Sequence, residues 1–235
     1  MAVKSCSLGM IAALLLAAGG GCARGARESP GPAPTDTPAP SDARPVVMFL
    51  GTSLTAGLGV APEEAYPALV QQRIDAAALP FQVVNAGVSG ETSAGARRRL
   101  DWLLDNRDVA VLVIETGGND GLRAQDAGAL RANVEGMIER AARETPPPRV
   151  VLVGMQAPPN YGAAYAAQFR GLFPELAARH HLALVPFLLE GVAGVPALNQ
   201  ADGIHPTPEG HRVMAVTVWK VLGPLLRDAA QRSSG

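Results

Sequence analysis

Four short stretches hold the side chains able to do chemistry. The first is Gly51-Thr52-Ser53-Leu54. A serine hydroxyl at a turn can attack a carbonyl once a base takes its proton, or it can merely cap the start of a helix. The stretch is not G-x-S-x-G, because Thr55 holds the last position, and Ser89 fails the same test at Glu91. The second stretch is Asn85-Ala86-Gly87-Val88-Ser89-Gly90-Glu91-Thr92, whose glycines allow a tight turn that presents backbone N–H groups, although Asn and Gly are also ordinary turn residues. The third, Glu115-Thr116-Gly117-Gly118-Asn119-Asp120, contains an amide with two N–H donors, the kind of group an oxyanion requires. The fourth is Asp202-Gly203-Ile204-His205-Pro206. Three residues of irregular chain can fold a carboxylate back onto the imidazole and leave Nε2 free to accept a proton from a serine. Of the four histidines, His180 and His181 follow a helix and His211 falls within the last one, so His205 is the favoured base.

These stretches need a scaffold, and the rest of the chain supplies one. Val46–Leu50, Phe81–Val84, Val109–Ile114, Arg149–Val153 and Leu182–Val185 are short apolar runs of the type found in a parallel sheet covered on both faces. Between them lie helical patterns. Leu130, Val134, Met137, Ile138 and Ala141 form one stripe, stopped by Pro146-Pro147-Pro148, and Met214, Val218, Val221, Leu222 and Leu225 form another behind an expected cap at Thr207 and Pro208. Trp102 and Trp219 fall within helical patterns and are expected in the core, which leaves no aromatic platform for a sugar. The alternation predicts a three-layer α/β/α sandwich on a five-stranded, mainly parallel sheet of flavodoxin-like type. In such a sheet ligands sit outside the carboxyl ends of the strands, where the first three stretches lie.

Composition narrows the function. Hydrophobic residues make up 48% and charged residues 17% of the 235, enough for a large core, and the formal net charge of −1 includes no Lys/Arg block for nucleic acid or an anionic membrane surface. Cys6 and Cys22 both lie near the amino terminus, so the body holds no thiolate zinc site, disulfide framework or cysteine nucleophile. Lys4 followed by the apolar run from Leu8 to Ala18 predicts an export signal too short to span a bilayer. Gly19-Gly20-Gly21-Cys22 resembles a bacterial lipobox, with Gly19 where that motif prefers Leu. Lipidation of Cys22 is expected, with simple cleavage and secretion as the other outcome. Both place the protein outside the cytoplasm, either in the bacterial periplasm, anchored or free, or secreted. Residues 1–22 are thus expected to form the signal segment, 23–44 a disordered Pro/Ala/Gly-rich tether, 45–228 the domain and 229–235 a disordered tail.

Taken in order, the four stretches resemble the SGNH (GDSL-type) hydrolases, and among them the bacterial thioesterase/lysophospholipase/arylesterase branch. The resemblance covers roughly Pro45 to Leu226 and rests on V-N-A-G-V-S-G-E-T-S (84–93), G-G-N-D-G-L-R (117–123), Pro159-Asn160-Tyr161-Gly162 and D-G-I-H-P (202–206). It implies Ser53 as nucleophile, His205 as base and Asp202 as its orienter. The oxyanion would be held by the backbone N–H groups of Ser53 and Gly90 and by the Asn119 side chain. Leu122, Pro158 and Pro159 would contact the acyl group. The family's usual Asp is Thr52 here, which leaves the hydrogen bonding around the serine turn open. The implied activity is hydrolysis of small esters or lysophospholipids, with acyl-thioesterase capability, by a monomer needing no cofactor or metal. A carbohydrate O-deacetylase and a non-catalytic acyl or lipid carrier are the alternatives.

Overall fold

The protein is described from a computed structural model, over residues 44–233. The expected signal segment, Cys22 and all but the last residue of the tether lie outside the described residues.

Apolar runs become strands where both faces can be covered. The sheet comprises β1 (Val46–Gly51), β2 (Gln82–Gly87), β3 (Val109–Glu115), β4 (Arg149–Val153) and β5 (Ala183–Val185). All neighbouring pairs are parallel, in the order β2-β1-β3-β4-β5. Central β1 and β3 are almost wholly buried, with Val47, Met48, Phe49, Leu50 and Val111 to Ile114 inaccessible. β2 starts one residue later than expected, runs on to Gly87 and stays half exposed, because an edge strand has a neighbour on one side only.

Among the described residues seven helices connect and follow the strands: α1 (Ser53–Ala56), α2 (Tyr66–Ala76), α3 (Ser93–Asp105), α4 (Gly118–Leu122), α5 (Ala127–Ala141), α6 (Ala163–Arg179) and α7 (Pro208–Ser233). The β1-to-β2 crossover runs one way along the sheet and the later crossovers run the other way. Right-handed connection then puts α2 on one face and α3, α5 and α6 on the opposite face. The closing helix α7 packs on α2. The predicted stripe of α5 is buried throughout, and Asp126 caps that helix by accepting the Ala129 N–H at 2.7 Å. At the start of α7 the Gly210 N–H reaches Thr207 Oγ1 at 3.4 Å.

Two expectations are corrected. The chain does not turn into a tail after 228, since α7 continues to Ser233. Trp102 is not core: on α3 it faces solvent, 64% exposed, because the buried stripe of that helix is Ala96, Leu100, Leu103 and Leu104. Trp219 is partly buried against the core, with the Arg227 guanidinium 6.0 Å from its ring.

Candidate active site

The strand order reverses between β1 and β3, which opens a crevice beyond their carboxyl ends. Ser53 is the first residue of α1, immediately past β1, and is 8% exposed. Gly51 has no alternative at this turn, because a Cβ there would lie 2.0 Å from Thr55 Oγ1 and 2.8 Å from Glu115 Oε2. Glu115 ends β3 and is fully buried. It accepts the Thr52 N–H at 2.8 Å, the Thr52 hydroxyl at 2.9 Å and the Thr55 hydroxyl at 2.8 Å. Burial pushes the Glu115 carboxyl up, and these three donors oppose it. Thr52, at the position where the resemblance would place Asp, thus links the serine turn to the end of β3 through its N–H and hydroxyl.

His205 comes from the loop before α7. Its Nε2 lies 3.0 Å from Ser53 Oγ and its Nδ1 lies 2.6 Å from Asp202 Oδ2. The other carboxylate oxygen accepts the His205 and Ile204 N–H groups at 3.0 and 2.9 Å, so the loop folds around its own aspartate. The His205 ring first, then these two N–H groups, holds the Asp202 carboxyl far below the usual carboxylate range. Gln200 fastens the loop: its backbone N–H donates to the His205 carbonyl at 2.7 Å, and its side-chain amide donates to the Leu58 carbonyl at 2.8 Å. Two of the other three histidines are engaged elsewhere, His180 with Glu135 and His211 with the Tyr66 N–H. Among the described residues no third acidic or imidazole ligand joins Asp202 and His205 to make a metal site.

Gly90 and Asn119 border the same cleft as Ser53 and His205. Gly90 has a φ of 78°, in the left-handed region open to glycine. The Arg123 guanidinium donates to its carbonyl at 3.1 and 3.2 Å. The Asn119 amide spends one N–H on the Glu91 carbonyl at 2.9 Å, which leaves its second N–H for the cavity it lines. Glu91 in turn holds Arg99, whose guanidinium also donates to the Gly51 carbonyl at 3.3 Å. One ion pair therefore ties the Gly90 loop to the serine turn. Asp120 is buried and committed to Ser93, accepting its N–H at 2.9 Å and its hydroxyl at 2.6 Å.

The cleft is a cavity of about 600 Å³. Leu122, Pro158 and Pro159 line it, together with Leu58, Met155, Ala157, Phe187, Leu189 and Ile204. No Asp, Glu, Lys or Arg is among its lining residues, and neither tryptophan is. Such a cavity can hold an apolar chain with its polar end at Ser53.

Residues 49–213 match the model of the GDSL-like Lipase/Acylhydrolase family. Over 180 residues the chain is 42% identical to the esterase TesA of Pseudomonas aeruginosa, covering 77% of this chain and 89% of that protein. It is 33% identical over 182 residues to the thioesterase 1/protease 1/lysophospholipase L1 of Escherichia coli, covering 77% and 84%. A crystal structure of TesA superposes with a TM-score of 0.73 at 41% identity, covering 77% of this chain and 99% of that one. The five-stranded parallel sheet, the order of the four motif loops and these similarities together make the chain a member of the GDSL-like lipase/acylhydrolase family.

Proposed function

We propose that the protein is a serine esterase that transfers the acyl group of a lipid-like carboxylic ester to Ser53 and then to water. One observation carries the reading: Ser53 Oγ, His205 Nε2, His205 Nδ1 and Asp202 Oδ2 form a continuous relay, 3.0 and 2.6 Å per step, at the wall of an apolar cavity. In the mechanism, His205 takes the Ser53 proton as the hydroxyl attacks the carbonyl carbon. Asp202 holds the ring with Nε2 facing the serine and offsets the charge of the imidazolium. The oxyanion is received by the N–H groups of Ser53 and Gly90 and the free N–H of Asn119. His205 then protonates the departing alcohol, and the same ring activates the water that releases the acid. Leu122, Pro158 and Pro159 contact the acyl chain. A thioester can enter the same acyl-enzyme route, and the lysophospholipase and thioesterase names of the Escherichia coli relative favour both substrates.

Ser53→Ala is expected to abolish hydrolysis of a p-nitrophenyl ester and labelling by a fluorophosphonate, while Ser89→Ala retains both. A labelled, active Ser53→Ala variant would sink the assignment. An unlabelled wild type would leave a non-catalytic acyl carrier.

The amino terminus supports export with lipid attachment at Cys22. Cys22→Ser is expected to move the protein from the detergent phase to the aqueous phase. Aqueous partitioning of the wild type would remove the anchor from the proposal.

A further inference from the structure

Eight large hydrophobic side chains are exposed among the described residues, and six of them line the cavity or stand within two residues of its lining: Leu58, Val88, Leu122, Tyr161, Val195 and Ile204. Leu58, Leu122 and Ile204 line the cavity itself. Val88 lies two residues before Gly90, Val195 follows Gly194, and Tyr161 donates its hydroxyl to the Leu122 carbonyl at 2.8 Å. The remaining two, Trp102 and Val216, sit on the helices α3 and α7. Single exposed apolar residues are normal on any surface, but a collar of six at one cavity is not.

The charged residues nearest the cavity lining in sequence are of mixed sign, Arg123, Glu190 and Asp202 among them, and form no basic cluster. Arg123 is bonded to the Gly90 carbonyl and Asp202 to His205, and no Asp, Glu, Lys or Arg lines the cavity. A surface of this kind gains little from anionic headgroups, whose attraction depends on clustered Lys and Arg. A protein partner or a second copy seated on the collar would close the route into the cavity. An aggregate of the substrate would instead open it, because an acyl chain can then pass from lipid to the apolar lining without crossing water.

We propose that this collar seats the enzyme on a neutral or zwitterionic lipid surface, so that it draws acyl esters from aggregates rather than from solution. The proposal rests on the esterase reading and adds to it the physical state of the substrate.

The test compares the full-length protein with two double variants, assayed on lysophosphatidylcholine through its critical micelle concentration and on a short ester that stays monomeric. Val88→Ser with Val195→Ser removes collar without touching the catalytic groups. Trp102→Ser with Val216→Ser removes the exposed apolar area elsewhere and leaves any amino-terminal anchor in place. The wild type is expected to accelerate steeply once micelles form, and raised salt should not suppress the rise. The collar variant should keep its rate on the soluble ester and lose the rise on the order of tenfold, as expected for removing a few buried methyl groups. The control variant should match the wild type. A wild type with no rise, a control that loses as much as the collar variant, or a rise abolished by salt would overturn the proposal. So would a wild-type dimer that the collar substitutions disperse while micellar turnover is unchanged. A collar variant that loses as much on the soluble ester would overturn the proposal, and a wild type inactive on both substrates would overturn the esterase reading itself.

Discussion

Thr52 gives both its backbone N–H and its hydroxyl to Glu115, at 2.8 and 2.9 Å, in the residue immediately before Ser53. The carboxylate at the end of the central strand therefore sets the entry of the serine turn. Thr55, one turn further along, donates to the same oxygen and pairs with the Tyr66 hydroxyl at 2.8 Å.

Thr52→Val keeps the shape and the N–H but removes one hydrogen bond to a buried carboxylate, worth about 1.5–3 kcal/mol. If part of that energy holds Ser53 in its attacking position, kcat falls on the order of tenfold while KM changes little. Thr52→Ser restores the hydroxyl and should restore the rate. Glu115→Ala is expected to be more severe, because it strands three donors in a closed space and costs stability as well as turnover. Steady-state kinetics with a thermal melt decide it. Full turnover in Thr52→Val would confine the pair to a structural role.

Asn119 has two tasks in one amide, a bond to the Glu91 carbonyl and a free N–H facing the cavity. An oxyanion donor acts more strongly in the transition state than on the bound ester. Asn119→Ala should therefore lower kcat by roughly 100- to 1000-fold with a small change in KM. A loss carried by KM alone would make Asn119 a residue that only binds substrate.

Much of this site is legible along the chain because each loop that builds it directly follows an apolar strand or precedes a proline-started helix. Ser53, Asn119 and His205 stand at such junctions, and Asp202 needs only three residues to reach its partner. The supporting bonds lie beyond that reach. Glu115 meets Thr52 across 63 residues and Gln200 meets Leu58 across 142, pairings that no periodicity announces. The Glu91–Arg99 pair spans only eight residues, yet its role appears once Arg99 also reaches Gly51. Phe187 and Leu189 join the cavity wall through the loop after β5, where the chain shows no regular apolar pattern. Trp102 misled because its hydrophobicity outweighed its place on the outer side of the α3 stripe.

His211 offers a test of how the folded domain responds to acid. It is 1% exposed, its Nδ1 accepts the Tyr66 N–H at 3.2 Å, and its ring stacks on Tyr66 at 6.4 Å. Burial pushes its pKa down to about 4, with the Glu64 charge working against that shift and His205 working with it. The folded chain therefore refuses a proton that the unfolded chain accepts near the ordinary histidine value of about 6.5. Because the unfolded state binds more protons, stability rises with pH through this range. The contribution is fully present above about pH 6.5 and is lost as pH falls from there toward 4. Carboxylates held below their usual range, such as Asp202 and Asp228, add their own loss only once pH approaches the ordinary carboxylate values of about 4, so the two windows separate. His211→Asn retains an acceptor for the Tyr66 N–H without the ionisation. Thermal melts between pH 7 and about 4.5 should show a falling Tm for the wild type and a flatter line for the variant. Parallel lines would place the acid sensitivity in another group.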